Sequence, residues 1–400
     1  MVKIKSKPLN KSLEIGRVIG HVKGDIEGPT IIFIAGIHGN EPSGIFALQQ
    51  VLSDLQKNQI ALKGNIYAIS GNLWALKRGI RYQHQDLNRL WTTEIMERLN
   101  DGELEAINED VAQQLEIHTT IKRILDEESG PFYLMDLHTT SSDTLPFMTV
   151  NDSLLNRAFT MQYPMPIILG IEEFLDGPLL SYANELGYVA FGFEAGSHDS
   201  IDSYHNHIAF IYLSIVFSGN ADQSSIDFDK YFKQLDQASI GTHDFYEIST
   251  HYKIKPEEDF VMKPGYINFK ELNKGDEIAV SNGNVLTAEK NGNIFMPLYQ
   301  NQGEDGFFTI NKIATFSLKL SALMRTLHVD RILRFLPGVS MSDERDVLIV
   351  NRKVAKFFTK EIFHLMGYRK MSKTDKSYIM KNRESTSRVE EYRHMAWNKA

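Results

Sequence analysis

Short apolar runs alternate with segments of helical periodicity over the first half of the chain. The run Ile31–Ala35 ends at Gly36 and predicts a strand that is buried on both faces of a sheet. Ser43–Lys57 repeats its apolar residues along one side, as an amphipathic helix does. The same patterns predict further strands at Gly64–Ser70, Phe132–Leu137, Phe147–Val150, Pro166–Leu169 and Tyr188–Glu194, and further helices at Asn108–Glu128, Asp152–Met161, Pro178–Leu186 and Ile201–Phe217. This alternation predicts an α/β fold with a mixed, mostly parallel sheet flanked by helices, in which sites form where strands end.

The pattern changes at Ser218–Ile226, a polar stretch of small residues that is typical of a linker. Residues 226–312 contain short β-like runs and turn pairs such as Asn282-Gly283, which predict a small C-terminal β domain. From residue 313 the chain is basic, and we expect a helical extension over 313–400. The expected organisation is an α/β domain over 1–225, the β domain and this extension, whose role the sequence leaves open between dimerisation and shielding of the sheet.

The composition is that of an ordinary globular protein, since 42% of the residues are hydrophobic and 24% are charged. A net charge of −8 argues against broad contact with nucleic acid or an anionic membrane, but not against a small anionic substrate. Because the chain contains no cysteine, any metal must be bound through nitrogen and oxygen ligands. We expect a cytoplasmic protein, since no segment approaches the roughly 18 apolar residues that span a bilayer and the N-terminal segment has no secretory signal.

The most specific motif is Ile37-His38-Gly39-Asn40-Glu41, which follows directly after a predicted buried strand. His38 and Glu41 are three residues apart in the turn that begins a helix, so their side chains lie on one side. An imidazole and a carboxylate together suit a catalytic zinc ion, which takes three protein ligands and leaves one position for water. An ordinary loop with one histidine is the alternative interpretation of this pair taken alone.

A third ligand is available at the end of another predicted strand. His138 follows the apolar run Phe132–Leu137 and is expected at the same edge of the sheet as His38. Asp136 lies two residues earlier, faces the same side of the strand and is placed to hydrogen-bond a ligand imidazole. Taken with the first pair, His138 makes a zinc site a better interpretation than an isolated histidine at a strand end.

Two more segments carry residues that suit amide hydrolysis. Arg81, Asn88 and Arg89 lie in a short irregular segment, and guanidinium groups bind carboxylates and stabilise oxyanions. A solvated surface loop is the alternative for these arginines. Glu194 ends an apolar strand before a glycine turn, where a carboxylate beside an activated water can serve as a general base. A structural ion pair is the alternative for Glu194.

Together these four segments resemble the aspartoacylase/succinylglutamate desuccinylase family, which is related to zinc carboxypeptidases. The matching motifs are Gly-Ile-His38-Gly-Asn-Glu41, Arg81 with Asp86-Leu-Asn88-Arg89, Asp136-Leu-His138, and Phe-Glu194 with its glycine turn. They occur in the family's order, and the resemblance extends over about residues 30–310. It implies a zinc-carboxypeptidase-like fold, in which the β domain caps the site.

The resemblance also implies a role for each residue. It implies one zinc ion per chain, held by His38, Glu41 and His138. It implies that Glu194 activates the water, that Arg81 polarises the scissile carbonyl, and that Asn88 and Arg89 bind the carboxylate of the substrate. In some family members a tyrosine from the β domain reaches the substrate, and Tyr299 is the candidate here.

The leading hypothesis is therefore a zinc-dependent amidohydrolase that removes the acyl group from a small N-acyl amino acid. A metallocarboxypeptidase that acts on short peptides is the alternative, because it would use the same metal site and the same carboxylate contacts. A third hypothesis is a binding module without catalysis, against which the complete set of ligands, base and arginines argues. The sequence leaves open the acyl group, the amino acid and whether the chain forms a homo-oligomer.

Overall fold

The computed structural model describes residues 1–342, 346–351, 353, 360–373 and 376–398 of the chain. The helices are α1 Ser43–Lys57, α2 Leu73–Arg78, α3 Thr93–Asn100, α4 Glu109–Glu127, α5 Leu154–Thr160, α6 Leu179–Glu185, α7 Ile201–Phe217, α8 Phe228–Ala238, α9 Thr315–Thr326 and α10 Lys360–Leu365. No helix in these described ranges is long and apolar enough to cross a membrane.

Strands occur along the whole length of the chain. In the amino-terminal half they are β1 Val2–Ser6, β2 Lys11–Ile15, β3 Val18–Lys23, β4 Ile26–Ala35, β5 Lys63–Ser70, β6 Phe132–Thr140, β7 Phe147–Val150, β8 Ile167–Leu169 and β9 Val189–Ser197. The remainder are β10 Phe245–Lys253, β11 Phe260–Met262, β12 Glu271–Leu272, β13 Glu277–Ser281, β14 Asn284–Thr287, β15 Gly292–Phe295, β16 Asp305–Lys312, β17 Val339–Met341, β18 Val347–Asn351, β19 Tyr368–Lys373 and β20 Ser377–Asn382.

The main sheet, as far as the described residues show it, has eleven strands in the order β12-β15-β16-β10-β8-β7-β9-β6-β4-β5-β3. Its central strands β5, β4, β6 and β9 are parallel neighbours, whereas β3, β15, β16 and β12 add antiparallel pairs towards the edges. The sheet is therefore mixed, as predicted, but it is not mostly parallel, because β7 also pairs antiparallel with β9 in its interior. Because the carboxyl ends of β4, β6 and β9 lie side by side, the residues that follow these strands meet at one edge.

The continuous apolar run of β4 reflects burial on both faces of the sheet. Ile31 and Phe33 pack into a core that also contains residues of α1 and α7. Ile32 and Ile34 point to the other face and pack into a core with residues of α3 and α4. Side chains alternate between the faces of a strand, so a central strand covered by helices on both sides has no polar position.

The strands of residues 240–312 differ from the predicted separate β domain. Strand β10 pairs in parallel with β8 and antiparallel with β16, so this region extends the main sheet. Only β11, β13 and β14 form a small sheet of their own within it. Without β10, the backbone N–H and C=O groups along one edge of β8 would have no strand to pair with, and β10 supplies their partners.

The predicted linker is also held in place, since Asn220 Nδ2 donates to the carbonyl groups of Pro29 and Lys63 over 2.7 and 2.6 Å.

The extension after residue 313 was predicted to be helical, and this is wrong for much of it. Besides α9 and α10, its described residues form a four-stranded antiparallel sheet in the order β17-β18-β20-β19. Basic and polar residues alternate there with apolar ones, of which Leu348, Val350 and Met380 are buried, as expected of strands with one covered face. Tyr392 packs edge-on against Tyr133 of β6, and its hydroxyl accepts a hydrogen bond from the Val189 N–H over 2.9 Å. The extension therefore covers part of the main sheet.

Candidate metal centre and substrate cleft

The loop between β4 and α1 presents His38 and Glu41. Gly36, at φ +75°, turns the chain directly after β4. A Cβ on Gly39 would lie 2.0 Å from the carbonyl carbon of Ala75 in α2, so only glycine fits where the loop packs on that helix. Both His38 and Glu41 are buried, and His38 Nδ1 lies 2.9 Å from Glu41 Oε1. The predicted pairing of these two side chains is thus present in the structure.

His138 reaches the same place from β6, the parallel neighbour of β4. Its Nδ1 lies 3.1 Å from Glu41 Oε2, and the Thr139 N–H donates to the same oxygen over 3.0 Å. One ligand atom from each of His38, Glu41 and His138 lies within 4.8 Å of the other two. The three residues therefore form a candidate metal site.

Each histidine of the cluster also contacts a carboxylate with its other ring nitrogen. His38 Nε2 lies 3.1 Å from Asp86 Oδ1, and His138 Nε2 lies 2.7 Å from Asp136 Oδ2. Metal-bound imidazoles are oriented by a carboxylate in this way, which directs the other nitrogen towards the ion. Two imidazole nitrogens and one carboxylate are also the donors that a catalytic zinc site uses. The donor set therefore fits a zinc ion.

Burial and opposite charges perturb the pKa values of the cluster in different directions. Burial alone would raise the pKa of Glu41, but His38 and His138 outweigh it and hold that pKa well below its ordinary value. Burial would lower the pKa of His138, but Asp136 and Glu41 raise it well above its ordinary value. Glu41 is therefore an ionised carboxylate, the form that binds a cation.

Arg81 lies beside the cluster and is fixed by Asp86. Its Nε and Nη2 donate to Asp86 Oδ2 over 3.1 and 2.9 Å, while Nη1 lies 3.8 Å from Glu41 Oε1. Burial would raise the pKa of Asp86, but Arg81 and His38 hold it well below its ordinary value. Asp86 thus links Arg81 to His38. The sequence motif contained Asp86, but the prediction gave it no role.

Asn88 and Arg89 lie in a short 3₁₀ turn, Leu87–Arg89, and both line the cleft in front of the cluster. The Asn88 side-chain oxygen accepts a hydrogen bond from the Leu179 N–H over 2.9 Å. Arg89 Nη1 donates to the Asn88 carbonyl over 2.8 Å, and Nη2 donates to Asp305 Oδ2 over 2.6 Å. Asp305, from β16, had no place in the predicted site, because nothing in its local sequence distinguishes it from a surface aspartate.

Glu194 lies on β9 opposite His138 of β6. It is buried, and its Oε2 has no hydrogen-bond partner among the described residues. Burial raises the pKa of Glu194 to about 8; the positive charge of His138 opposes this effect and the negative charge of Glu41 adds to it. A buried carboxylate without a partner is costly, so Glu194 is a candidate functional residue.

The segment 296–308 forms one wall of the cleft. It contributes Met296, Leu298 and Phe308 among other residues. Tyr299, the predicted substrate-binding tyrosine, is not among the lining residues; it is 39% exposed, and its hydroxyl donates to the Lys263 carbonyl over 2.7 Å. In this structure the Tyr299 hydroxyl is therefore occupied outside the cleft.

Two lining residues that the prediction did not include form a network beside the cluster. His198 Nδ1 lies 2.8 Å from Thr139 Oγ1, and Gln300 Oε1 accepts a hydrogen bond from Asn40 Nδ2 over 2.9 Å. The structure places His198 in the cleft, whereas His84 lies outside it and pairs with Glu109 over 2.6 Å.

Comparisons with known proteins agree with this fold and site. The model of the succinylglutamate desuccinylase/aspartoacylase catalytic domain matches residues 27–207, the segment that contains all four motifs. Over these residues the chain is similar to the catalytic domain of the aspartoacylase/succinylglutamate desuccinylase family.

The most similar relatives cover parts of the chain to different extents. A curated succinylglutamate desuccinylase of Photorhabdus laumondii is 29% identical over 158 residues, which are 33% of this chain and 48% of that protein. This chain thus spans about half the length of that relative. The solved succinylglutamate desuccinylase of Vibrio cholerae has a TM-score of 0.52 at 14% identity and covers 78% of this chain and 91% of its own. A succinylglutamate desuccinylase/aspartoacylase of Rhodobacter sphaeroides also has a TM-score of 0.52, at 16% identity, with coverage of 74% and 88%. These two solved structures share the fold of this chain.

Proposed function

We propose that the protein is a zinc-dependent deacylase that hydrolyses the amide bond of a small N-acyl amino acid. The observation that carries this proposal is the buried Glu194 carboxylate, which has an unpartnered oxygen and lies beside the cluster of His38, Glu41 and His138. Metal binding accounts for His38, Glu41 and His138, but it does not account for a further carboxylate beside them that has no partner. A reaction that needs a general base accounts for Glu194.

His38, Glu41 and His138 would hold the zinc ion through two imidazole nitrogens and a carboxylate. When bound, zinc supplies Lewis-acid chemistry that activates a water molecule and polarises a carbonyl group. A cation at this cluster also favours the ionised form of Glu194, so its pKa in the loaded enzyme is lower than about 8.

The chain's own residues then supply the proton transfers and the charge stabilisation. Glu194 takes a proton from the water that attacks the amide carbon and delivers a proton to the departing amine nitrogen. Arg81, held by Asp86, faces the cluster and stabilises the negative charge that develops on the carbonyl oxygen. Asn88 and Arg89 bind the carboxylate of the amino acid and orient the amide.

A metallocarboxypeptidase would use the same ligands, and the cleft wall argues against it. Met296, Pro297 and Leu298 line the cleft from one side, together with Gln300 and Phe308. A wall of this kind leaves less room than a polypeptide chain needs, while a single acyl amino acid is small enough to enter.

The test is a hydrolysis assay with zinc-loaded protein on N-acetyl and N-succinyl amino acids and on short peptides of matched carboxyl-terminal residue. The proposal predicts release of the free amino acid from the acyl derivatives and little release from peptides. Preferential release of the terminal residue from peptides would instead establish the carboxypeptidase.

A further inference from the structure

The charges that line the cleft are almost fully paired before any substrate binds. Apart from histidines, Arg81 and Arg89 are the cationic side chains among the described residues that line it. Arg81 is paired with Asp86 at 2.9 Å, and Arg89 is paired with Asp305 at 2.6 Å. Neither arginine is therefore a free cation.

Carboxylates in and around the cleft outnumber these two guanidinium groups. Glu41, Glu194 and Asp305 line it, and Asp86 contacts Arg81 from behind. A divalent ion at the ligand cluster offsets this excess of two negative charges and leaves no surplus of positive charge. One substrate carboxylate can be bound at Arg89, whereas a second carboxylate finds no further cationic side chain among the described lining residues.

Another part of the lining is polar but uncharged. Thr149 of β7 and Asn151, just after that strand, line the cleft together with Ser142 from the preceding loop. Ser142 and Asn151 are 5% and 4% exposed, and Ser142 Oγ and Asn151 Nδ2 have no hydrogen-bond partner among the described residues. A buried donor without a partner is unfavourable, so a ligand that supplies an acceptor is favoured at this place.

We infer that the substrate carries a single carboxylate, bound at Arg89, and that its remaining part is uncharged and presents a hydrogen-bond acceptor to Ser142 and Asn151. This inference rests on the proposed deacylase function and narrows its substrate class. A second carboxylate would lose its hydration next to neutral groups and existing carboxylates, which is unfavourable. An amide or hydroxyl of the same shape keeps the hydrogen bonds without that penalty.

The first experiment measures kcat/KM of zinc-loaded protein on pairs of substrates that differ only in charge. The pairs are N-acetylglutamine with N-acetylglutamate, and N-succinamoylalanine with N-succinylalanine; N-acetylalanine is the reference that lacks a distal polar group. We expect the uncharged member of at least one pair to be hydrolysed with a kcat/KM at least about tenfold higher than its charged partner.

The second experiment assigns the preference to residues. Asn151→Ala is expected to lower kcat/KM for the preferred uncharged substrate about tenfold more than for N-acetylalanine. Asn58→Ala, at an exposed asparagine after α1, is the matched control and is expected to leave both values unchanged. Ser142→Ala provides a second, smaller truncation with the same expected direction, in case Asn151→Ala fails to fold.

Two results would overturn the inference in distinguishable ways. Hydrolysis in which the charged members equal or exceed the uncharged ones would refute the substrate class and leave the deacylase function standing. Absence of hydrolysis for every member of the panel, N-acetylalanine included, would refute the deacylase function itself and this inference with it.

Discussion

Asp305 accepts a hydrogen bond from Arg89 over 2.6 Å, so a strand near one edge of the sheet fixes an arginine from a loop more than 200 residues earlier. Asp305 is itself held by His251, whose Nε2 lies 2.8 Å from Asp305 Oδ1 and whose ring stacks on Phe308. The segment that walls the cleft thus also orients the arginine that we expect to bind the substrate carboxylate.

Asp305→Asn is expected to weaken substrate binding by loosening Arg89. A neutral acceptor holds a guanidinium less firmly than a carboxylate does, and substrate and transition state would lose the contact alike. KM should therefore rise about tenfold with little change in kcat. The exposed Asp259→Asn serves as the control. An unchanged or lower KM for Asp305→Asn would mean that Asp305 competes with the substrate for Arg89.

Glu194→Gln is expected to abolish turnover while the protein keeps its metal. Glutamine has nearly the same shape as glutamate but cannot accept the proton, so kcat should fall by about 10²–10⁴. Zinc content measured by mass spectrometry should equal that of the wild type, since Glu194 is not a ligand in this account. Glu97→Gln, on an exposed face of α3, is the control. Substantial activity in Glu194→Gln would remove Glu194 from the mechanism.

The metal-free protein should show a pH-dependent stability that originates in Glu194. Burial raises the pKa of Glu194 from 4.5 to about 8, so in this pH range the folded state holds a proton that the unfolded state releases. Stability therefore falls as the pH rises through this window. Glu194→Gln removes this contribution, so without metal its melting temperature should exceed that of the wild type increasingly from pH 5 to pH 8. A constant difference in melting temperature across these pH values would contradict this pKa.

The contact between the extension and the α/β domain should contribute strongly to stability. Asp152 is fully buried and pairs with Arg157, Arg325 and Arg369, the last two of which belong to the extension. Arg325→Met leaves part of that buried charge uncompensated, so we expect a loss of about 3–5 kcal/mol in urea denaturation. Arg331→Met, at an exposed position of the extension, should change stability little. Equal stability of the two variants would show that the cluster is not important for holding the extension.

Several parts of the fold and the site could be predicted from the sequence because their signals are local. The apolar run before His38 and the helical spacing of Ser43–Lys57 determine β4 and α1, and the helix has the predicted bounds. His138 directly follows the predicted strand Phe132–Leu137, the observed strand β6 continues through it to Thr140, and parallel pairing with β4 then brings it to Glu41.

Other parts depend on contacts between distant segments, which have no local signal. Pairing of β10 with β8 joins the region after residue 240 to the main sheet. This pairing depends on the free hydrogen-bonding edge of β8, which lies far away in the sequence and leaves no pattern near β10. Asp305 and Gln300 reach the cleft because of that pairing, so their roles were not apparent. The prediction of Tyr299 followed family resemblance, and it remains untested although its hydroxyl lies on Lys263 in this structure.

The central claim is that hydrolysis depends on one zinc ion held by His38, Glu41 and His138. Its most direct test is a titration of chelator-treated protein with zinc, in which hydrolysis of a responsive N-acyl amino acid is measured at each step. The account predicts no activity without metal, a linear rise and a plateau at one zinc ion per chain. Full activity in the metal-free protein would contradict it.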